Sequence, residues 1–144
     1  MGVHEVVAGY QWIYTTLSSD SLLTSYAPGG VHRSLAPPET QAPFIVMNYQ
    51  SGLDVITMNA FRMMVSALFQ VKCVGPASMT EQIANAAARI DALIGSPPVS
   101  GTVTGGYVAA SYRESPLAID ELVVGEVWSN FGGLYRLLIE QITS

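Results

Sequence analysis

The residues able to do chemistry in this chain are few and scattered. Two histidines, His4 and His32, one cysteine, Cys73, and the carboxylates Asp120, Glu121 and Glu126 are the candidates for a general base, a nucleophile or an acid–base pair. His4 stands where a helix begins, the place of a solvated or capping residue. His32 beside Arg33 could bind an anion, but no second basic cluster supports it, and the pair reads as polar positions on an edge strand. Cys73 alternates in register with Phe69 and Val71, which makes it a buried, inert core thiol. The three carboxylates lack a partner that would position or perturb them, so they read as solvated surface charge. The sequence contains no nucleophile elbow, no phosphate loop, no HExxH helix and no dinucleotide turn. One cysteine excludes an intrachain disulfide, and with two histidines it makes a poor zinc set. No catalytic residue, cofactor or metal site is expected, and the chain is expected not to be an enzyme.

The elements that would position these residues follow from periodicity. Val3, Val6, Val7, Tyr10, Ile13, Tyr14 and Leu17 recur at three- and four-residue steps and predict a helix from about Val3 to Leu17. Ser18, Ser19 and Asp20 offer cap oxygens for a short second turn through Leu22 and Leu23. Four prolines and a Gly-Gly pair make the stretch from Ala27 to Pro43 an extended loop, with Val31 to Leu35 able to form a short edge strand. Phe44 to Tyr49 favours strand. Arg62 to Val74 alternates strictly, with Met63, Val65, Ala67, Phe69, Val71 and Cys73 on one face. Ser78-Met79-Thr80-Glu81 has capping-box spacing and predicts a helix from Met79 to Ile94, stopped by Gly95 and Pro97. Gly95 to Gly106 reads as a flexible linker. Tyr107 to Glu114 is a strand closed by Pro116, Leu122 to Trp128 fits strand or helix, and Leu134 to Gln141 follows a turn over Asn130 to Gly133. The order α, β, β, α, β, β gives an α+β fold: a mainly antiparallel sheet of four or slightly more strands, with two main helices on one face, in one domain spanning residues 1–144.

Composition limits the partners. The chain is 49% hydrophobic and only 12% charged, about half the usual charged fraction. That much apolar surface in 144 residues favours a homo-oligomer with large interfaces. No stretch reaches the ~20 uninterrupted apolar residues of a membrane span, and no leader pattern is visible at the start, so a cytosolic product is expected. The net charge is -5, and Arg33, Arg62, Lys72, Arg89, Arg113 and Arg136 are spread along the chain. Sequence-specific nucleic-acid binding is not expected.

Two groups are candidate interface residues. Leu53, Asp54, Val55, Ile56 and Met58 lie between the two strongest strands with a single charge; they either extend the hairpin and pack on the subunit's own helices or project as an apolar arm. Trp128 and Phe131 lie beside Gly132-Gly133, where large apolar side chains serve either an interface or the core. Met47 and Met63 read as core.

The layout resembles the tail terminator, or tail-completion, proteins of long-tailed bacteriophages. The resemblance rests on Ala42-Pro43-Phe44-Ile45-Val46 at the entry to the first long strand, the strand from Arg62 to Val74, the helix from Met79 to Ile94, and Gly132-Gly133-Leu134-Tyr135-Arg136 at the end. It implies a structural subunit, made in the host cytoplasm and carried at the head-proximal end of the virion tail. It would form a ring, most simply a hexamer, that stops polymerisation of the tail tube. The implied partners are further copies of the chain, the major tail tube protein and a head–tail connector or stopper protein, with DNA only passing through the lumen. A different neck component, such as a connector or stopper, is the nearest alternative. A small ferredoxin-like ligand-binding domain is a more distant one, and it would require a pocket with convergent polar groups.

Overall fold

A computed structural model describes residues 4–56, 62–95, 99–103 and 106–141. Helix α1 (Glu5–Ser18) is capped by His4, whose Nδ1 accepts the Val6 amide at 3.2 Å. It turns Tyr10, Ile13 and Leu17 inward. Asp20 caps the short α2 (Ser21–Tyr26) by accepting the Leu23 amide at 2.9 Å. Strand β1 (Val31–Arg33) lies parallel to the start of β2 (Phe44–Ile56), and β3 (Arg62–Pro76) returns antiparallel to β2. A 3₁₀ turn over 77–79 leads into α3 (Thr80–Ile94), followed by β4 (Val99–Val103), β5 (Gly106–Val123) and β6 (Glu126–Gln141).

Among the described residues the strands form one sheet in the order β1-β2-β3-β6-β5-β4. Every pairing is antiparallel except β1 with β2. The expected α+β class and mainly antiparallel sheet are therefore present, with short β1 and β4 added at the edges of the four long strands. No helix separates the first two long strands, so the element order is not that of a ferredoxin-like fold. The alternation in β3 does what its period requires. Val65, Ala67, Phe69, Val71 and Cys73 all point into a core completed by Ile13 and Leu17 of α1, Ile83, Ile90 and Ile94 of α3, and Tyr135, Leu137 and Ile139 of β6. Met47 belongs to that core as expected, while the side chain of Met63 lies outside the described residues.

Several boundaries differ from those the sequence suggests. Strand β5 runs through Pro116, which pairs with Gly133; proline lacks a donor, and here β5 carries no second partner strand that would need one. Gly132 and Gly133 are not a turn but the middle of β6. A Cβ on Gly132 would run into the Val71 carbonyl and the Lys72 backbone, so glycine is there for close approach of β6 to β3. The turn lies instead at Val124 and Gly125, both with positive φ (48° and 77°). Residues 99–103, read as linker, form β4. Ser78 does not cap α3: the 3₁₀ turn after Pro76 intervenes, and the residue before the helix, Met79, makes no side-chain cap.

The cap that holds a helix in place is Asp20. Besides capping α2, it receives Arg89 Nε at 2.9 Å and Nη2 at 2.8 Å, a two-point clamp between α2 and α3. The Arg89 hydrogen bonds, aided by the Leu23 amide, hold the Asp20 carboxyl below the usual carboxylate range. Because the folded-state value is depressed, this stabilisation is present above the unfolded value near 4 and is lost as pH falls through the folded value. Asp20→Ala is expected to cost about 2 kcal/mol at neutral pH, combining a lost cap and a half-exposed ion pair. Denaturant melts should show the gap from the parent closing below about pH 4. Ser78→Ala should leave the midpoint unchanged.

Candidate interaction surfaces

The chemically capable side chains do not converge. His4 is an exposed cap, and His32 Nε2 lies 2.7 Å from the Gly29 carbonyl. Its neighbour Arg33 stacks its guanidinium 4.7 Å from the centre of the Tyr10 ring. Cys73 is fully buried, and burial pushes its thiol up to about 12, so it has no thiolate to offer at neutral pH. Ser129 Oγ donates to Asp120 at 2.9 Å and Asn130 Nδ2 to Glu121 at 3.1 Å, while Asp120, Glu121 and Glu126 themselves stay exposed. Burial and the adjacent Asp91 charge raise the Tyr135 phenol, whose hydroxyl faces Asp91 at 3.5 Å. Asp91 also approaches Arg113 Nε at 3.5 Å. That chain of contacts ties α3 to β5 and β6. Among the described residues no three of His, Cys, Asp or Glu gather as metal ligands, and no helix is long and apolar enough to cross a membrane.

The notable surfaces are edges and ends. Strand β1 covers the outer edge of β2 only at Ile45–Met47. Next to it, the Tyr49 amide is taken by the Tyr10 hydroxyl at 2.6 Å. From Gln50 to Ile56 no described strand covers this outer edge. At the other side of the sheet β4 covers β5 only from Gly106 to Ser111, so that among the described residues Tyr112 to Val123 have no strand on that side and form a free edge. The two free edges sit at opposite ends of the sheet. Long open edges of this kind are templates for pairing with another chain.

Both hairpin ends carry apolar residues into solvent. At the β2–β3 end Leu53 is 73% and Ile56 60% exposed, with Val55 and Asp54 also exposed. The segment does extend the hairpin, since Leu53 pairs with Ser66 and Ile56 with Arg62, while these two side chains stand largely in solvent; Met58 lies outside the described residues. Trp128 is half-buried with its ring 6.2 Å from that of Phe44, and Phe131 packs partly on the core. The residues that sequence reasoning missed are at the β5–β6 end. Ile119, Leu122, Val123 and Val127 are exposed there, and Val124 is entirely so. The signal available was Val-Val-Gly-Glu, a glycine at a hairpin turn position between two β-favouring runs.

The sheet face turned away from the helices has its own groove, of about 270 Å³. Phe44, Val46 and Val74 line it with Leu35, 83% exposed, and Lys72, Asn130 and Glu121 add polar and charged groups. Lys72 is the one lysine in the sequence, and no carboxylate lies within ion-pair distance of it among the described residues. Asn130 is 1% exposed, and its Oδ1 has no hydrogen-bond partner.

No protein-family model matches the sequence, and no curated protein matches it either. Among solved structures, a chain from the structure described as "Virion of native gene transfer agent (GTA) particle" is similar in fold. The TM-score is 0.71 at 13% identity, covering 96% of this chain and 99% of that one. At that identity the likeness concerns the fold, and it extends over essentially the whole of both chains.

Proposed function

We propose that this chain is a structural virion protein of a phage-like particle, and more finely a tail terminator that caps the tail tube as a hexameric ring and presents a docking face to the head. The observation that carries the reading is the end-to-end fold likeness to a chain of a gene transfer agent virion. Its physical support lies in the surfaces. A subunit with two free strand edges at opposite corners can pair head to tail with its neighbours, and such heterologous contacts close into a ring when the rotation permits. The exposed Leu53 and Ile56 provide an apolar end for the last ring of tube protein. The scattered basic residues and net charge of -5 suit a lumen through which DNA slides without being held.

Addition of the purified chain to polymerising tube protein should arrest growth and narrow the length distribution seen by electron microscopy. Light scattering coupled to size exclusion should give a mass near six subunits, alone or on the tube. Tubes of unaltered length together with a strictly monomeric chain would reject the reading.

A further inference from the structure

The β5–β6 hairpin ends in a way that is costly for an isolated subunit. A two-residue turn with both φ values positive is the ordinary setting for Asn-Gly, yet the first position is Val124, at φ 48°. A β-branched residue there is strained. The strain secures no packing within the subunit, because Val124 is wholly exposed and Leu122 beside it is 73% exposed. The turn thus holds two aliphatic side chains out in water, flanked by Asp120, Glu121 and Glu126.

The open-face groove has the complementary character. Phe44, Val46, Val74 and the exposed Leu35 give it an apolar lining, and Lys72, which has no ion-pair partner among the described residues, shares the groove with the subunit's own Glu121. Sheet topology brings the two features together between copies. If the free edge of β5, Tyr112 to Val123, runs antiparallel along the free edge of β2 in a neighbour, Gln50 to Ile56, the hairpin end overshoots that edge. It then reaches the point where the neighbour's edge is closed by β1 and the Ser34–Leu35 segment. That segment is bonded to β2 through the Ser34 amide and the Met47 carbonyl at 2.9 Å, and Ser34 and Leu35 both line the groove.

We propose that the tip of the β5–β6 hairpin, led by Leu122 and Val124, docks into the Leu35–Val46–Lys72 groove of the next copy of this chain. Asp120 and Glu126, at the flanks of the tip, pair with Lys72, so the contact weakens as salt rises. This contact deepens the ring reading and rests on it. Each subunit gives one tip and receives one, and the contact is directional.

The test uses two full-length variants. In the tip variant, Leu122→Asp and Val124→Asn, the Asn-Gly turn relieves the backbone strain, so thermal stability of the subunit should hold or rise while self-association falls by roughly a hundredfold or more. In the groove variant, Leu35→Asp and Lys72→Glu, the same loss is expected from the other side. Sedimentation should find each variant monomeric where the parent forms rings. An equimolar mixture retains one sound tip and one sound groove per pair and should give dimers and nothing larger. Rings formed by either variant at parental concentrations, or a mixture that stays monomeric, would overturn the tip-in-groove contact while leaving ring assembly itself standing. A parent chain that remains monomeric both alone and in the presence of tube protein would overturn both.

Discussion

Phe69→Ala is expected to destabilise the subunit by about 4 kcal/mol, a large share of the roughly 5–15 kcal/mol that holds a domain folded. Phe69 sits in the middle of β3 with no exposed surface. The rings of Tyr10 and Tyr49 stand nearly edge-on to it, with centroids at 5.2 and 5.7 Å, in the arrangement aromatic pairs favour. Those two tyrosines also hold each other's strand and helix in place, since the Tyr10 hydroxyl receives the Tyr49 amide. Truncation would leave a cavity under α1 and loosen the hydrogen bond between the Tyr10 hydroxyl and the β2 edge. A urea melt measures the loss. A shift of less than about 2 kcal/mol would mean that the helix collapses into the space, and that α1 is less fixed on the sheet than its burial implies.

The largest effect on function is expected from the opposite kind of residue. Replacing Leu53 and Ile56 together with Asp should leave the fold intact, because both side chains stand in solvent. If that end meets the tube, however, two charges would be buried without partners, at several kcal/mol. Complementation of a terminator-deficient phage-like particle by this variant should fall by orders of magnitude, with a circular dichroism spectrum like the parent's. Normal tails and normal titre from the folded variant would remove this end of the hairpin from the assembly surface.

How much of this could be read from the residues depended on what each element packs against. Strand β3 was legible because it has one wet and one dry face, so its alternation reports burial directly. Helix α3 was legible from Ile83, Ala86 and Ile90, but not its start, because the choice between Ser78 as a cap and a 3₁₀ turn after Pro76 is decided by how the chain leaves the sheet. Pro116 read as a stop, and would be one on a central strand; only the pairing pattern shows that its other side is an edge. Gly132 and Gly133 read as a turn because the sequence gives no sign of the neighbouring backbone that forbids a side chain. The same error hid the hairpin end, since placing the turn at Gly132 left Leu122 to Trp128 without an assignment. At the β2–β3 end the apolar run of Leu53 to Ile56 was visible from its lack of charge. The groove was not visible, as it joins residues from five separate parts of the chain.

The placement of β6 has a consequence for how the protein is made. β6 is synthesised after both β3 and β5, yet it lies between them and is hydrogen-bonded to both along most of its length. Until it leaves the ribosome, β3 and β5 have no common partner, and the nascent chain holds two unfinished half-sheets, one of them with the edge of β3 unpaired. At ~5–20 residues per second that interval is on the order of a second or more, long enough for half-sheets of neighbouring nascent chains to meet. Closure of the sheet is therefore a late, long-range step of the slow kind, and shortening the chain from its C-terminal side into β6 would remove the centre of the sheet rather than trim its margin.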